Sequence, residues 1–99
     1  MERHRDIEPT HPGEILREDV LPALRKSQTE IAKLLRISRQ TLHAILSEKA
    51  PITPRMAVKI GKLCGNGPEL WVNLQTAYDL WHAKREVKTD DIPTLEAVA

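Results

Sequence analysis

The stretch Gln28–Ser47, QTEIAKLLRISRQTLHAILS, constrains this 99-residue chain more than any other. Counted from Gln28, its fourth, fifth, eighth, tenth, fifteenth and eighteenth residues are Ile31, Ala32, Leu35, Ile37, Leu42 and Ile45, all of them apolar. Two short helices that cross steeply bury those positions and come closest at Ala32, where only a small side chain fits. Ser27 can cap the first helix, and Glu30 three residues on completes a capping box. Ser38 can cap the second, directly after the turn Arg36-Ile37-Ser38. The pattern predicts a helix-turn-helix over residues 28–47, with helices at about 28–35 and 39–47.

With Leu42, Ile45 and Leu46 turned inward, the second helix presents Arg39, Gln40, His43, Ala44 and Ser47 to its surroundings. An arginine can fork onto guanine, a glutamine can pair with adenine, and an alanine can meet the thymine methyl in the major groove. Polar residues occur on any surface helix. It is their coincidence with the motif's spacing that assigns Arg39, Gln40, His43 and Ala44 to base reading. Gln28, Thr29, Arg36, Ser38, Thr41, Ser47 and Lys49 flank that face at helix starts and ends, where contacts to phosphate would hold the register.

Charge points the same way. The chain carries only +1 in total, but residues 25–62 hold nine basic side chains against Glu30 and Glu48. That segment is therefore +7 and the remainder −6. Basic charge gathered on the motif suits a polyanion such as double-stranded DNA, and a module that bound only proteins would have no reason to place it there.

Other classes fare poorly. No apolar run has transmembrane length and no signal peptide opens the sequence, so a cytoplasmic protein with no membrane association is expected. The single Cys64 cannot form an internal disulfide and lies on an apolar helical stripe, which marks it as a structural thiol. The four histidines (His4, His11, His43, His82) are scattered, with no pair at helical spacing beside a third ligand. Without a glycine-rich phosphate loop or a Ser/His/Asp set, no catalysis, metal or cofactor is expected.

Along the chain, residues 1–10 read as an irregular arm with one apolar anchor, Ile7. Thr10 or His11 precedes a first helix with Pro12 in its opening turn, running to about Leu21, where Pro22 ends or kinks it. Ile15, Leu16, Val20 and Leu24 are its buried stripe. Thr53-Pro54 opens a fourth helix that Gly65 stops after Cys64. Gly67-Pro68-Glu69 opens a fifth, reaching about Lys84 and holding all three aromatics, Trp71, Tyr78 and Trp81. With Leu74 they form an apolar band wide enough to be divided between the core and a dimer seam. Residues 86–99 are an acidic tail without helical period, in which Ile92 and Leu95 are free to dock on a partner. The expected architecture is all-α: a five-helix, lambda-repressor-like DNA-binding domain over residues 11–85, with residues 68–85 as its dimerisation helix.

In these segments the chain resembles the HigA-type antitoxins of the Xre-like helix-turn-helix family. The resemblance spans about residues 11–83 and is carried by His11-Pro12-Gly13-Glu14-Ile15-Leu16, Ser27-Gln28-Thr29-Glu30-Ile31-Ala32, Ser38-Arg39-Gln40-Thr41 and Ile52-Thr53-Pro54-Arg55-Met56-Ala57. It closes on Pro68-Glu69-Leu70-Trp71-Val72-Asn73-Leu74-Gln75 and Ala77-Tyr78-Asp79-Leu80-Trp81. It implies a homodimeric repressor that binds an inverted-repeat operator of its own operon and neutralises a small mRNA-cleaving ribonuclease toxin. Such a toxin would be basic, and the leftover negative charge offers it Glu14, Glu18 and Asp19 on the first helix with the arm Met1–Glu8; the tail Glu86–Glu96 is the second choice. A stand-alone Xre-like repressor without a toxin is the alternative. The sequence departs from the family pattern at Arg36, where glycine is usual, at Ser47-Glu48 in place of Asn-Gly, and at His43-Ala44 on the reading face.

Overall fold

The computed structural model describes residues 7–97, and among them there are five helices and no strand. The first helix, α1, spans residues 12–24 in three contiguous pieces: an α turn at Pro12–Ile15, a π turn at Leu16–Val20 and an α turn at Leu21–Leu24. Its N-cap is His11, not Thr10: the Nδ1 atom accepts the Gly13 N–H at 2.9 Å. The helix also outruns its expected end at Leu21. A proline inside a helix lacks an N–H, and its ring collides with the carbonyl four residues back. Here the π turn widens the helix just ahead of Pro22, with the Leu21 N–H reaching five residues back to the Leu16 carbonyl. The conflict is relieved, and the helix continues until Arg25 turns left-handed at φ 55°.

The motif follows. In α2 (Gln28–Leu35) both arms of the capping box form, Glu30 N–H to Ser27 Oγ at 3.1 Å and Ser27 N–H to Glu30 Oε1 at 3.0 Å. The helix stops at left-handed Arg36, with Arg36 N–H on the Lys33 carbonyl and Ile37 N–H on the Ala32 carbonyl, the paired bonds of a Schellman motif. Ser38 then caps α3 (Arg39–Leu46), accepting the Thr41 N–H at 3.0 Å. The same stop recurs at its end, where left-handed Glu48 bonds to the Ile45 carbonyl and Lys49 to that of Ala44. Glu48 therefore takes the position that glycine holds in the family pattern. Thr53 caps α4 (Pro54–Cys64), Gly65 ends it at φ 78°, and α5 (Pro68–Glu86) packs along α4 for the rest of the domain.

The core is the set of positions the motif dictates, with additions from every other helix. Ile31, Ala32, Leu35, Leu42 and Ile45 are buried and Ile37 packs against them. Leu16, Leu21, Leu46, Ile52, Ala57, Ile60 and Trp71 complete it. Trp71 is 0% exposed, and its indole N–H donates to the Asn66 side chain at 2.9 Å. It therefore has no surface to give a dimer seam, which corrects its place in the expected band. The indole is the largest side chain that α5 commits to the core. Leu74 is half-buried against the core, and the Tyr78 ring meets His11 edge-on at 4.8 Å. Two glycines let backbones touch. A Cβ on Gly13 would collide with the Ile45 carbonyl oxygen, and one on Gly61 with the backbone of Gly67.

Most of the expected arm, Met1–Asp6, lies outside the described residues. Ile7 is 62% exposed and is not among the residues packed on the core. The arm is tied instead by Glu8, whose carboxylate meets His82 Nε2 at 2.6 Å. Beyond α5 the described residues are exposed, with a turn at Thr89–Ile92, and Ile92 and Leu95 are among the exposed apolar ones.

Candidate nucleic-acid interface

The outward face of α3 and the start of α2 wall an open groove of about 520 Å³, lined by Gln28, Arg39, Gln40, His43, Ala44, Ser47 and Lys49. All four residues expected to read bases are on it. They project from one side of α3 because Leu42, Ile45 and Leu46 bury the other. Gln28, Ser47 and Lys49 join them from the expected phosphate set, Gln28 at the first position of α2 and the other two just past the end of α3.

The remaining phosphate candidates sit differently. Thr29 is exposed in the first turn of α2 but does not line the groove. Ser38 and Thr41 are occupied with each other: the Ser38 hydroxyl donates to Thr41 Oγ1 at 2.8 Å while accepting the Thr41 N–H. Arg36 borders a separate recess with Leu34, Lys59, Lys62 and Leu63, and Lys59 Nζ donates to its carbonyl at 3.3 Å. The ammonium thus covers a carbonyl at the negative end of α2.

Three polar residues brace this surface, and sequence spacing alone does not reveal their roles. Buried His11 is held below the ordinary histidine range by desolvation, against the opposing pull of Glu48 and Asp79. Its Nδ1 must stay unprotonated to accept from Gly13, so the ring proton resides on Nε2. Gln75, also buried, accepts the Ile52 N–H at 2.7 Å and donates to Asp79 at 2.9 Å, fixing the linker after α3 to α5. Arg17 reaches from α1 to the Leu46 carbonyl at the end of α3, at 2.7 Å. His11 and Gln75 fall within the segments that carry the family resemblance, whereas Arg17 does not, and no motif marks a bond between residues 29 positions apart.

The candidate partner surfaces lie elsewhere. Glu14, Glu18 and Asp19 are exposed on α1, although Arg17 Nε already donates to Glu18 at 2.7 Å. On α5, Ala77, Leu80, Trp81, Lys84 and Arg85 frame a second hollow with Pro9, and the Arg85 guanidinium stacks 3.4 Å over the Trp81 ring. Burial pushes the Cys64 thiol up, as suits a packing residue. No helix among the described residues is long and apolar enough to cross a membrane.

A capped helix pair holding an arginine- and glutamine-bearing face over an open groove defines a helix-turn-helix DNA-binding protein. The helix-turn-helix family model matches residues 16–71. A helix-turn-helix-type transcriptional regulator of Haemophilus influenzae is 42% identical over 80 residues, covering 78% of this chain and 75% of the relative. An addiction module antidote protein of the HigA family from Coxiella burnetii superposes with a TM-score of 0.80 at 36% identity, over 91% of this chain and 100% of that one. The Pseudomonas aeruginosa antitoxin HigA, solved with the higBA promoter, gives a TM-score of 0.73 at 31% identity, over 82% and 97%. The chain belongs to the Xre-like helix-turn-helix family of DNA-binding regulators, and its likeness to the HigA-type antitoxins extends over most of its length.

Proposed function

We propose that the chain is the antitoxin of a type II toxin–antitoxin module, a homodimer that represses its own operon and neutralises a small basic ribonuclease toxin. One observation carries the DNA half: the groove gathers Arg39, Gln40, His43 and Ala44 with Gln28, Ser47 and Lys49, in the segment that holds the chain's excess positive charge. In this reading the first four meet base edges of an inverted repeat. Gln28, Ser47 and Lys49 grip phosphates beside them, and Thr29, Arg36, Ser38 and Thr41 add contacts at the margins. The toxin half is supported by the likeness to the HigA-type proteins and by the carboxylates exposed on α1. Glu14 and Glu18 stand one turn apart with Asp19 beside them, so a cationic partner meets concentrated negative charge.

The two surfaces are separable. Gln40→Ala is expected to lose about 1–3 kcal/mol on the operator and far less on random DNA, while still protecting cells from the toxin. Reversing Glu14 and Asp19 to lysine, with Glu18 left in place because it holds Arg17, is expected to weaken protection strongly and leave operator reading in place. Gel-shift isotherms and co-expression with the neighbouring reading frame measure both. Equal loss on operator and random DNA removes Gln40 from the reading set. The salt link from Arg17 to Glu18 favours a second reading, a stand-alone repressor, because it neutralises one of the three carboxylates. That reading prevails if no small basic protein co-purifies at low salt and no toxic frame lies beside the gene.

A further inference from the structure

Four carbonyls at the end of any helix lack an intrahelical partner. At the end of α3 the His43, Ala44 and Ile45 carbonyls receive backbone N–H groups from residues 47–50. The Leu46 carbonyl is met from outside, by Arg17 Nη1 at 2.7 Å. The same nitrogen lies 3.3 Å from the Glu48 carboxylate, and Nε is bonded to Glu18. Arg17 thus brings a cation to the negative end of the recognition helix, held on both edges of its fork. Its own placement is unusual, since it stands in the π turn that Pro22 accompanies, and π turns concentrate at functional sites.

What Arg17 holds borders the groove. Leu46 and Glu48 enclose Ser47, and left-handed Glu48 sets the direction in which the chain presents Lys49. Both Ser47 and Lys49 line the groove, whereas Arg17 does not. It lines the neighbouring cleft between α1 and the motif, with its side chain 38% exposed. We propose that Arg17 is a positioning residue for operator binding: it fixes the Ser47–Lys49 end of the groove, so that Lys49 meets its phosphate, without contacting DNA itself. The proposal rests on the DNA-binding reading and can fail while that reading stands.

The test is a double-mutant cycle on the full chain, with operator affinity measured at several salt concentrations. Arg17→Met keeps the stem and removes the fork. It is expected to weaken operator binding about tenfold, the worth of a charge-assisted hydrogen bond, in protein that circular dichroism shows to be folded at the assay temperature. It is also expected to flatten the salt dependence by about one unit, as loss of a single phosphate contact does. In the background of Lys49→Ala most of both effects disappears, whereas in the background of Gln40→Ala they persist in full. Arg17→Lys, which keeps the charge and cannot fork, is expected to behave the same way with a smaller loss, and it serves if Arg17→Met does not fold. Unchanged affinity in folded Arg17 variants overturns the proposal. So does a loss that simply adds to that of Lys49→Ala, since that marks a direct contact or a general loosening. If the wild-type chain itself does not prefer an inverted repeat over random DNA, the DNA-reading assignment fails instead.

Discussion

Among the described residues, three with side chains occupy the left-handed region: Arg25 at φ 55°, Arg36 at φ 58° and Glu48 at φ 67°. Each closes a helix where glycine would escape a Cβ penalty of about 1–2 kcal/mol. At Arg36 the Lys59 ammonium offsets part of that cost. Arg36→Gly is expected to stabilise the fold by about 0.5–1 kcal/mol, since the relieved strain is partly cancelled by the greater freedom of an unfolded glycine. A higher urea midpoint at constant slope is the readout, and a lower midpoint would show that the arginine stem contributes more than its backbone costs. At His11 the issue is protonation. Its native value is depressed by burial, so the unfolded chain binds a proton first as pH falls. The stability His11 supplies is complete above its unfolded value of about 6.5 and is lost as pH drops from there through the lower native one. His11→Asn, which can cap without titrating, is expected to flatten the stability profile between about pH 7.5 and 5.5. An equal acid loss in wild type and variant would assign the effect to other groups.

At the level of the helices, the local signals were legible. Ser27, Ser38 and Thr53 cap as their positions implied, because a cap depends only on neighbours within one turn. The apolar period placed the core for the same reason. What could not be read were effects that need the rest of the fold. Pro22 is read from the sequence as ending or kinking the first helix, and of the two the fold rejects the ending, since a π turn accommodates the proline inside α1. Trp71 looked like one of a band, but only the docking of α5 decides which face turns inward. In the candidate site the outward face of α3 followed from its period, whereas the supports behind it come from 11, 17 and 75, distant in sequence. Gln75 illustrates the cost of removing such a support. Gln75→Leu leaves the Ile52 N–H buried without its acceptor and is expected to destabilise the fold by about 1–3 kcal/mol. Chemical unfolding measures it, and a neutral result would mean that water reaches the linker. Gly13→Ala acts between elements as well. The added methyl pushes α1 off the Ile45 carbonyl, so operator affinity is expected to fall together with stability.

Across the whole molecule, the excess positive charge lies in residues 25–62, the segment that holds the motif, and two-fold assembly on DNA would bring two such faces to one duplex. One recognition helix reads too few base pairs to be selective, and a dimer spaces two of them by roughly 34–36 Å, one turn of the duplex. With Trp71 committed to the core and Tyr78 packed on His11, α5 still offers a seam Leu70, exposed near its start, and Ala77, Leu80 and Trp81 around a hollow of about 580 Å³. The Trp81 indole N–H is buried there without a hydrogen-bond partner among the described residues. This choice of residues determines which substitution is informative. Trp71→Ala would remove a core side chain at about 3–5 kcal/mol and report on folding. Tyr78→Ala would disturb the ring that shelters the His11 cap. Leu80 is 51% exposed and outside the core cluster, so Leu80→Glu is expected to leave the thermal melt of the monomer fold nearly unchanged. In a two-fold seam the same change sets like charges against one another across the axis. Light scattering should then show a lower apparent mass, and operator binding should lose its cooperativity while single half-site binding survives. If the wild-type chain is monomeric at the concentrations where it protects an inverted repeat, or if Leu80→Glu remains dimeric with cooperative binding, the seam lies on another face.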